Sequence, residues 1–290
     1  MENRFEEIVK DIYLLKVPFA GAFTGVILVN YGERMLFDTA ASGDDVDNYI
    51  LPALAELGLT LKDIKYLSNT HSHGDHIGGY QRVKQLNPEM VVVAANSDYQ
   101  NVENPAALAI RIRGKYPEYS PAPQSYLKGV KVDKVLADGE YLNDRMAVIE
   151  TPGHDLGCVC WYDSFTKTII TGDSIQGNGT PTQGVGFYQD LDAYRNSMNK
   201  LLDKDVENII CGHYYDMIGD IIVGKKAVEN ALHLSLNLTY IYQKYIDNKL
   251  NNGMENDGQI ATAMINDIGC GMPDKLFMAV YTVNQHKLKH

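Results

Sequence analysis

Two apolar patterns alternate along the chain. Short aliphatic and β-branched runs, too brief for helices, predict strands at Ile8 to Val17, Val26 to Val29, Met35 to Thr39, Ile64 to Ser68, Met90 to Ala94, Val132 to Leu136 and Met146 to Glu150. Further runs predict strands at Cys158 to Tyr162, Thr168 to Ile170 and Ile209 to His213. The turn Tyr31-Gly32-Glu33-Arg34 joins two of these strands as a hairpin, and Asp163-Ser164 lies within another. Between the strands, apolar residues recur at helical spacing. Val46, Ile50, Leu54 and Leu57 predict a helix over Asp44 to Leu57, interrupted by Pro52 and stopped by Gly58. Tyr80 to Leu86 and Asp192 to Leu202 follow the same rule.

Past Gly224 the strands cease. A stripe of Leu232, Leu236, Tyr240, Ile241 and Tyr245 predicts one long helix to Leu250, stopped by Asn251-Asn252-Gly253, and a second helix fits Gln259 to Ile268. Leu276 to Leu288 fits helix or strand. The pattern therefore divides the chain into an α/β region, 1–224, and a mostly helical C-terminal extension packed on it, 225–290. Within the first region, residues 97–131 lose the regular pattern. Pro105 to Ile112 suits a short helix, and Tyr116 to Pro123 carries too much proline for regular structure. Long excursions of this kind tend to be binding loops, so 97–131 reads as an insertion near a substrate mouth.

Charge and composition narrow the partners. The net charge of −11, with no Lys/Arg run, argues against nucleic acid. The N-terminal Met-Glu-Asn-Arg-Phe-Glu-Glu is charged rather than signal-like, and no apolar run approaches the roughly 20 residues of a membrane span. Four cysteines in such a chain suggest free thiols in a cytoplasm. Cys158 and Cys160 would share one face of a strand and read as small core residues.

Histidine placement points to chemistry. Of eight histidines, three fall within Thr70-His71-Ser72-His73-Gly74-Asp75-His76. Imidazole and carboxylate are ligands of first-row metals. On an extended backbone His71 and His73 point to the same side and can grip one ion. Gly74, free to take a positive φ, would re-aim Asp75 and His76 toward a second point. No Gly-x-Ser-x-Gly elbow offers a serine nucleophile.

Thr-His-x-His-x-Asp-His-x-Gly-Gly resembles the signature of the metallo-β-lactamase superfamily of hydrolases. Three later motifs match in order: Thr151-Pro152-Gly153-His154, Thr171-Gly172-Asp173 and Gly212-His213. The resemblance covers residues 1 to about 220. It implies a four-layer αββα sandwich with His71, His73 and His154 on one ion, Asp75, His76 and His213 on another, and Asp173 shared. It further implies a dinuclear hydrolase, with two zinc ions per chain (iron or manganese also accepted) and a metal-bridging hydroxide whose proton Asp75 can shuttle. Glyoxalase II-like thioesterases, lactonases and phosphodiesterases share this ligand set, so a small ester, thioester or lactone is the expected substrate. Tyr188 stands, about one residue out of register, where lactonases of the family place a substrate-binding tyrosine. Asp38 resembles the family's Asp-Thr/Ser-Gly turn, with Ala40 in place of the glycine; it reads either as a group orienting a ligand or as a turn cap. Tyr214-Tyr215-Asp216 departs from the glycine usual after the last histidine and makes the pocket shape uncertain. Members that do diiron redox chemistry resemble this pattern with glutamate at position 73, which counts against that subclass. A mononuclear iron oxidoreductase on the same fold, or a protein holding a structural metal, remain the competing readings. The tyrosine-rich C-terminal helices are expected either to cover the pocket or to form a homodimer face.

Overall fold

A computed structural model describes residues 4–290. The acidic N-terminal reading falls partly on Met1, Glu2 and Asn3, which lie outside the described residues.

The N-terminal strands β1 (Glu6–Val9), β2 (Ile12–Phe19), β3 (Ala22–Val29), β4 (Arg34–Phe37), β5 (Ile64–Ser68), β6 (Val91–Ala95) and β7 (Lys134–Leu136) form one sheet in sequence order. The later strands β8 (Met146–Glu150), β9 (Val159–Asp163), β10 (Thr168–Gly172), β11 (Asn208–Tyr215) and β12 (Gly219–Val223) form the second, ordered β12-β11-β10-β9-β8. Their strands read as continuous apolar runs because both faces are covered. In β3, Ile27 and Val29 face the other sheet while Val26 and Leu28 face helices. In β9, Val159 and Trp161 point inward and Cys160 outward. Trp161 donates from Nε1 to the Asn69 carbonyl at 2.9 Å, tying the second sheet to the histidine-rich loop.

Helices close both outer faces. On the first sheet lie α1 (Gly43–Asp45), a π-helical stretch Val46–Ile50, and α2 (Leu51–Glu56), followed by α3 (Gly74–Ile77) and α4 (Tyr80–Leu86). The π turn sits just before Pro52, whose missing N–H cannot continue an α ladder. The excursion after β6 contains α5 (Tyr99–Glu103) and α6 (Pro105–Lys115). On the second sheet, α7 (Leu191–Leu202), α8 (Lys225–Asn251), α9 (Asp257–Ile268) and α10 (Phe277–Lys287) share one buried cluster with the strands beneath. The result is the four-layer αββα sandwich.

Several boundaries differ from the pattern reading. The strand expected from Ile8 to Val17 is two strands, because Lys10 and Asp11 make a tight turn with Asp11 at φ 67°. The pattern does not reveal β12, because its residues are mostly half-buried and alternate weakly. Helix α5 buries only Val102, too little to leave a period. The ambiguous C-terminal stretch is the helix α10, buried on nearly every side, so that no polar face marks its turn.

Candidate metal centre

The histidine-rich loop begins where β5 ends. Ser68 to Ser72 lead out of that strand, and His73 is the N-cap of the one-turn helix α3. His71 and His73 thus precede the helix, and its turn swings Asp75 and His76 toward a second point. Gly74 takes no positive φ; the reorientation expected of it is made by the turn of α3. His154 follows Gly153, at φ 150°, where a Cβ would meet the Tyr194 backbone at 2.5 Å. Asp173 follows Gly172, at φ 49°, where a Cβ would lie 2.1 Å from Thr70 Oγ1. Both glycines are required by close approach as well as by backbone conformation. His213 lies within β11 at the same edge of the sandwich.

These side chains converge. His71, His73 and His154 form one group of mutually close ligand atoms; His71, His76 and Asp173 form another; Asp75, His76 and His213 a third. His73 Nδ1 lies 3.1 Å from His154 Nε2, and His154 Nε2 lies 3.5 Å from Asp173 Oδ2. His76 Nε2 is 3.4 Å from Asp173 Oδ1, and His213 Nε2 is 3.3 Å from Asp75 Oδ2 and 3.5 Å from Asp173 Oδ2. Asp173 therefore faces members of all three groups.

The backs of the His76, His154 and His213 rings are held. His76 Nδ1 is 2.8 Å from Asp38 Oδ2, and the same carboxylate accepts from the Thr70 amide and hydroxyl, each at 2.8 Å. Asp38 is thus an orienting group rather than a simple turn cap. His213 Nδ1 is 2.6 Å from the Phe23 carbonyl and His154 Nδ1 is 3.2 Å from the Phe187 carbonyl. His73 Nε2 points toward Asp155 Oδ2 at 3.5 Å, and Gln189 and the Gly157 amide donate to that buried carboxylate. Since carbonyls and carboxylates only accept, the rear nitrogens of His76, His154 and His213 carry the protons and the front nitrogens present lone pairs. The sequence reading missed Asp155; its position directly after His154 was the available signal.

What the lone pairs face is the test of a metal. Among the described residues, His71 Nε2, His76 Nε2 and Asp173 Oδ1 are buried without a hydrogen-bond partner. Such orphaned atoms are costly unless something compensates them. Two nitrogens bound tetrahedrally at about 2.0–2.1 Å would stand roughly 3.3 Å apart, and the contacts above bracket that separation. The residues fit bound cations. Without them, burial disfavours charge on His76 and His213, yet Asp173 and the neighbouring carboxylates outweigh it; His76 is driven well above its ordinary value and His213 to about 10. Burial pushes His154 the other way, to about 4, and His71 well below its ordinary value.

A cavity of about 690 Å³ opens onto this cluster, with His73, Asp75, His154, Asp173 and His213 in its wall. Helix α6, within the 97–131 excursion, contributes Leu108, Ala109, Ile112 and Arg113 to the cavity wall from one face. Tyr188 does not reach it. Its ring is fully buried against Tyr194 and Tyr242 in the core beneath α7 and α8, its hydroxyl unpartnered, while its neighbour Phe187 faces the cavity. The two neighbours point to opposite sides, so the one-residue offset exchanges tyrosine for phenylalanine. Tyr215 is buried and accepts from Gln176 Nε2 at 3.2 Å, whereas Tyr214 is exposed; neither narrows the cavity.

Known proteins share this arrangement. A solved metallo-β-lactamase family protein from Thermus thermophilus superposes with a TM-score of 0.76 at 21% identity, over 96% of this chain and 92% of that one. The FEZ-1 metallo-β-lactamase of Legionella gormanii superposes at 0.62 with 18% identity, over 83% and 95%. These likenesses establish the fold. Among curated relatives, the hydroxyacylglutathione hydrolase of Thermosynechococcus vestitus is 28% identical over 167 residues, 57% of this chain and 54% of that protein. An uncharacterized protein, YobT, of Bacillus subtilis is 29% identical over 154 residues, 51% and 59%. The chain thus spans somewhat more than half the length of the curated relatives it matches. The family description "Metallo-beta-lactamase superfamily" matches residues 21–213, a span that runs from within the β2–β3 turn to the last histidine of the cluster. With fold, motif order and converging side chains in agreement over that span, the chain belongs to the metallo-β-lactamase superfamily.

Proposed function

We propose that this chain is a dinuclear metal-dependent hydrolase of a small ester, thioester or lactone, with zinc as the metal. The observation that carries the proposal is the double cluster of front-facing lone pairs sharing Asp173 at the floor of a largely apolar cavity. His71, His73 and His154 would hold one ion, Asp75, His76 and His213 the other, and Asp173 both. Two divalent ions bound there supply a hydroxide at neutral pH and polarise a substrate carbonyl.

The remaining work falls to the chain. Asp75 borders the cavity beside His213, its Oδ2 3.3 Å from His213 Nε2, so its carboxylate is placed to take up the proton released on attack. Without metal, burial disfavours charge there, but His76 and His213 hold the Asp75 carboxyl well below its ordinary value, so it stands ionised. Phe187 packs edge-on against the His154 ring, with centroids 4.8 Å apart, and keeps water from that side. The relatives named hydroxyacylglutathione hydrolase favour a thioester among the candidate substrates. All four cysteines are free, which supports a reducing, cytoplasmic setting.

Elemental analysis of protein made without metal supplementation, followed by a panel of lactones, thioesters and phosphodiesters, tests the proposal. The expected result is about two metal equivalents per chain and turnover abolished by chelation and by Asp173→Ala. A single iron, with oxygen consumed on turnover, would replace it with the oxidoreductase reading.

A further inference from the structure

Arg113 is the unusual residue of the cavity. It comes from α6 and projects into the wall beside Ile112. Among the described residues no carboxylate, carbonyl or hydroxyl pairs with it, and its Nη1 is buried without a partner. Its guanidinium lies over the Phe277 ring, 3.8 Å from the centroid, which fixes its plane. Phe277 is itself clamped, because Tyr281 of α10 donates to the Ile112 carbonyl at 3.0 Å and so locks α10 to α6. Burial pushes the guanidinium below its ordinary value, opposed by Asp75 and Tyr281. Arginine nevertheless stays charged in proteins.

A fixed, half-buried, charged fork with unused donors is costly unless a ligand completes it. Asp75 is not that ligand, because it already faces His76 and His213. At the cavity mouth Asp274 and Lys275 are exposed and offset each other in charge. The wall near Arg113 is otherwise apolar: Leu108, Ile112, Phe187, Phe277 and Tyr281 form one cluster. Helix α10, whose first turn has no side-chain cap, starts at the same wall, and its positive end adds to the preference for an anion.

We infer that Arg113 receives a carboxylate of the substrate, so that the enzyme acts on small esters, thioesters or lactones carrying an acid group beyond an apolar segment. This rests on the hydrolase reading for the reaction but not for the recognition. Planar carboxylate matches the guanidinium fork in a way that a neutral amide does not.

The test separates the two. Binding of 4-phenylbutyrate and of 4-phenylbutyramide to the metal-loaded protein is measured by calorimetry, for the wild type, Arg113→Gln and Arg113→Lys. The wild type is expected to prefer the acid by about ten- to a hundredfold, as for a charge-assisted hydrogen-bonded pair. R113Q should bring the two ligands within about threefold, and R113K should fall between, since it keeps the charge and loses the fork. Metal content and melting temperature are checked for each variant. R113K, the milder change, supplies the comparison if R113Q fails to fold. An acid preference that survives in R113Q would place the carboxylate on the metals and overturn the inference, as would a wild type with no preference. Turnover of S-phenyl monothioadipate and of its carboxamide is then compared. Absence of turnover on both, with Arg113-dependent binding intact, sinks the hydrolase reading and leaves the recognition standing.

Discussion

Asp38 concentrates three functions in one carboxylate, and its removal has a calculable outcome. It accepts from the Thr70 amide, from the Thr70 hydroxyl and from His76 Nδ1, all at 2.8 Å and all buried. Its backbone is left-handed, at φ 61°, a conformation that asparagine tolerates about as well as aspartate. Asp38→Asn therefore leaves the turn alone and changes only the side chain. The amide keeps one acceptor oxygen and turns an N–H2 toward at least one donor. One or two buried donors lose their partner, at about 1–3 kcal/mol each and not fully additive, so stability should fall by roughly 2–4 kcal/mol. His76 loses the group that fixes its ring and tautomer, and affinity for the ion proposed on Asp75, His76 and His213 should fall about 10- to 100-fold. Competition against a chromogenic chelator measures the affinity, and urea unfolding of the metal-loaded and chelated forms measures the stability. If D38N binds both metals as tightly as the wild type and unfolds at the same urea concentration, the argument that Asp38 positions His76 is wrong.

Tyr188→Phe removes an unpartnered buried hydroxyl in the core, so turnover should change by less than about twofold and the melting temperature should hold or rise; a large loss of kcat would return Tyr188 to the site. Gly172→Ala drives a methyl into the Thr70 side chain at a left-handed position, and should cost more than about 2 kcal/mol and release metal, read by thermal melting and elemental analysis. His286 is pushed down to about 3 by burial and by Arg195, so the unfolded chain binds its proton first as pH falls. Its contribution is complete above about pH 6.5 and is lost as the pH drops toward 3. Between pH 7 and pH 5, chemical denaturation should show the wild type losing on the order of 2 kcal/mol more than His286→Gln; parallel profiles would refute the assignment.

The motif residues were legible because metal ligation restricts both residue type and spacing. His71, His73, Asp75 and His76 lie so close in sequence that backbone geometry alone nearly brings them together. His154, Asp173 and His213 were found through motif order, each placed just beyond or within a strand. The two-sided apolar strands announced a buried sheet, and the long period after Gly224 announced α8. Less legible were features set by contacts between distant segments. Tyr188 and Phe187 could not be told apart, since one residue of register decides which enters the core, and α7 and α8 fix that register. Asp38 could be a turn cap or an orienting group until His76 was placed against it across 38 positions. Asp155 looked like any polar loop residue until His73 folded over it.

The sequence by itself determined the layer-forming segments, the candidate ligand types and their order, because these follow from local periodicity and from the chemistry of single side chains. Only the tertiary structure decided which nitrogen of each imidazole is left facing inward and which side chains wall the cavity. It also showed that Arg113, anonymous in a short helix, stands there unpaired among the described residues. Such properties depend on what lies within a few ångströms in space, and the chain brings those neighbours together from segments far apart in sequence.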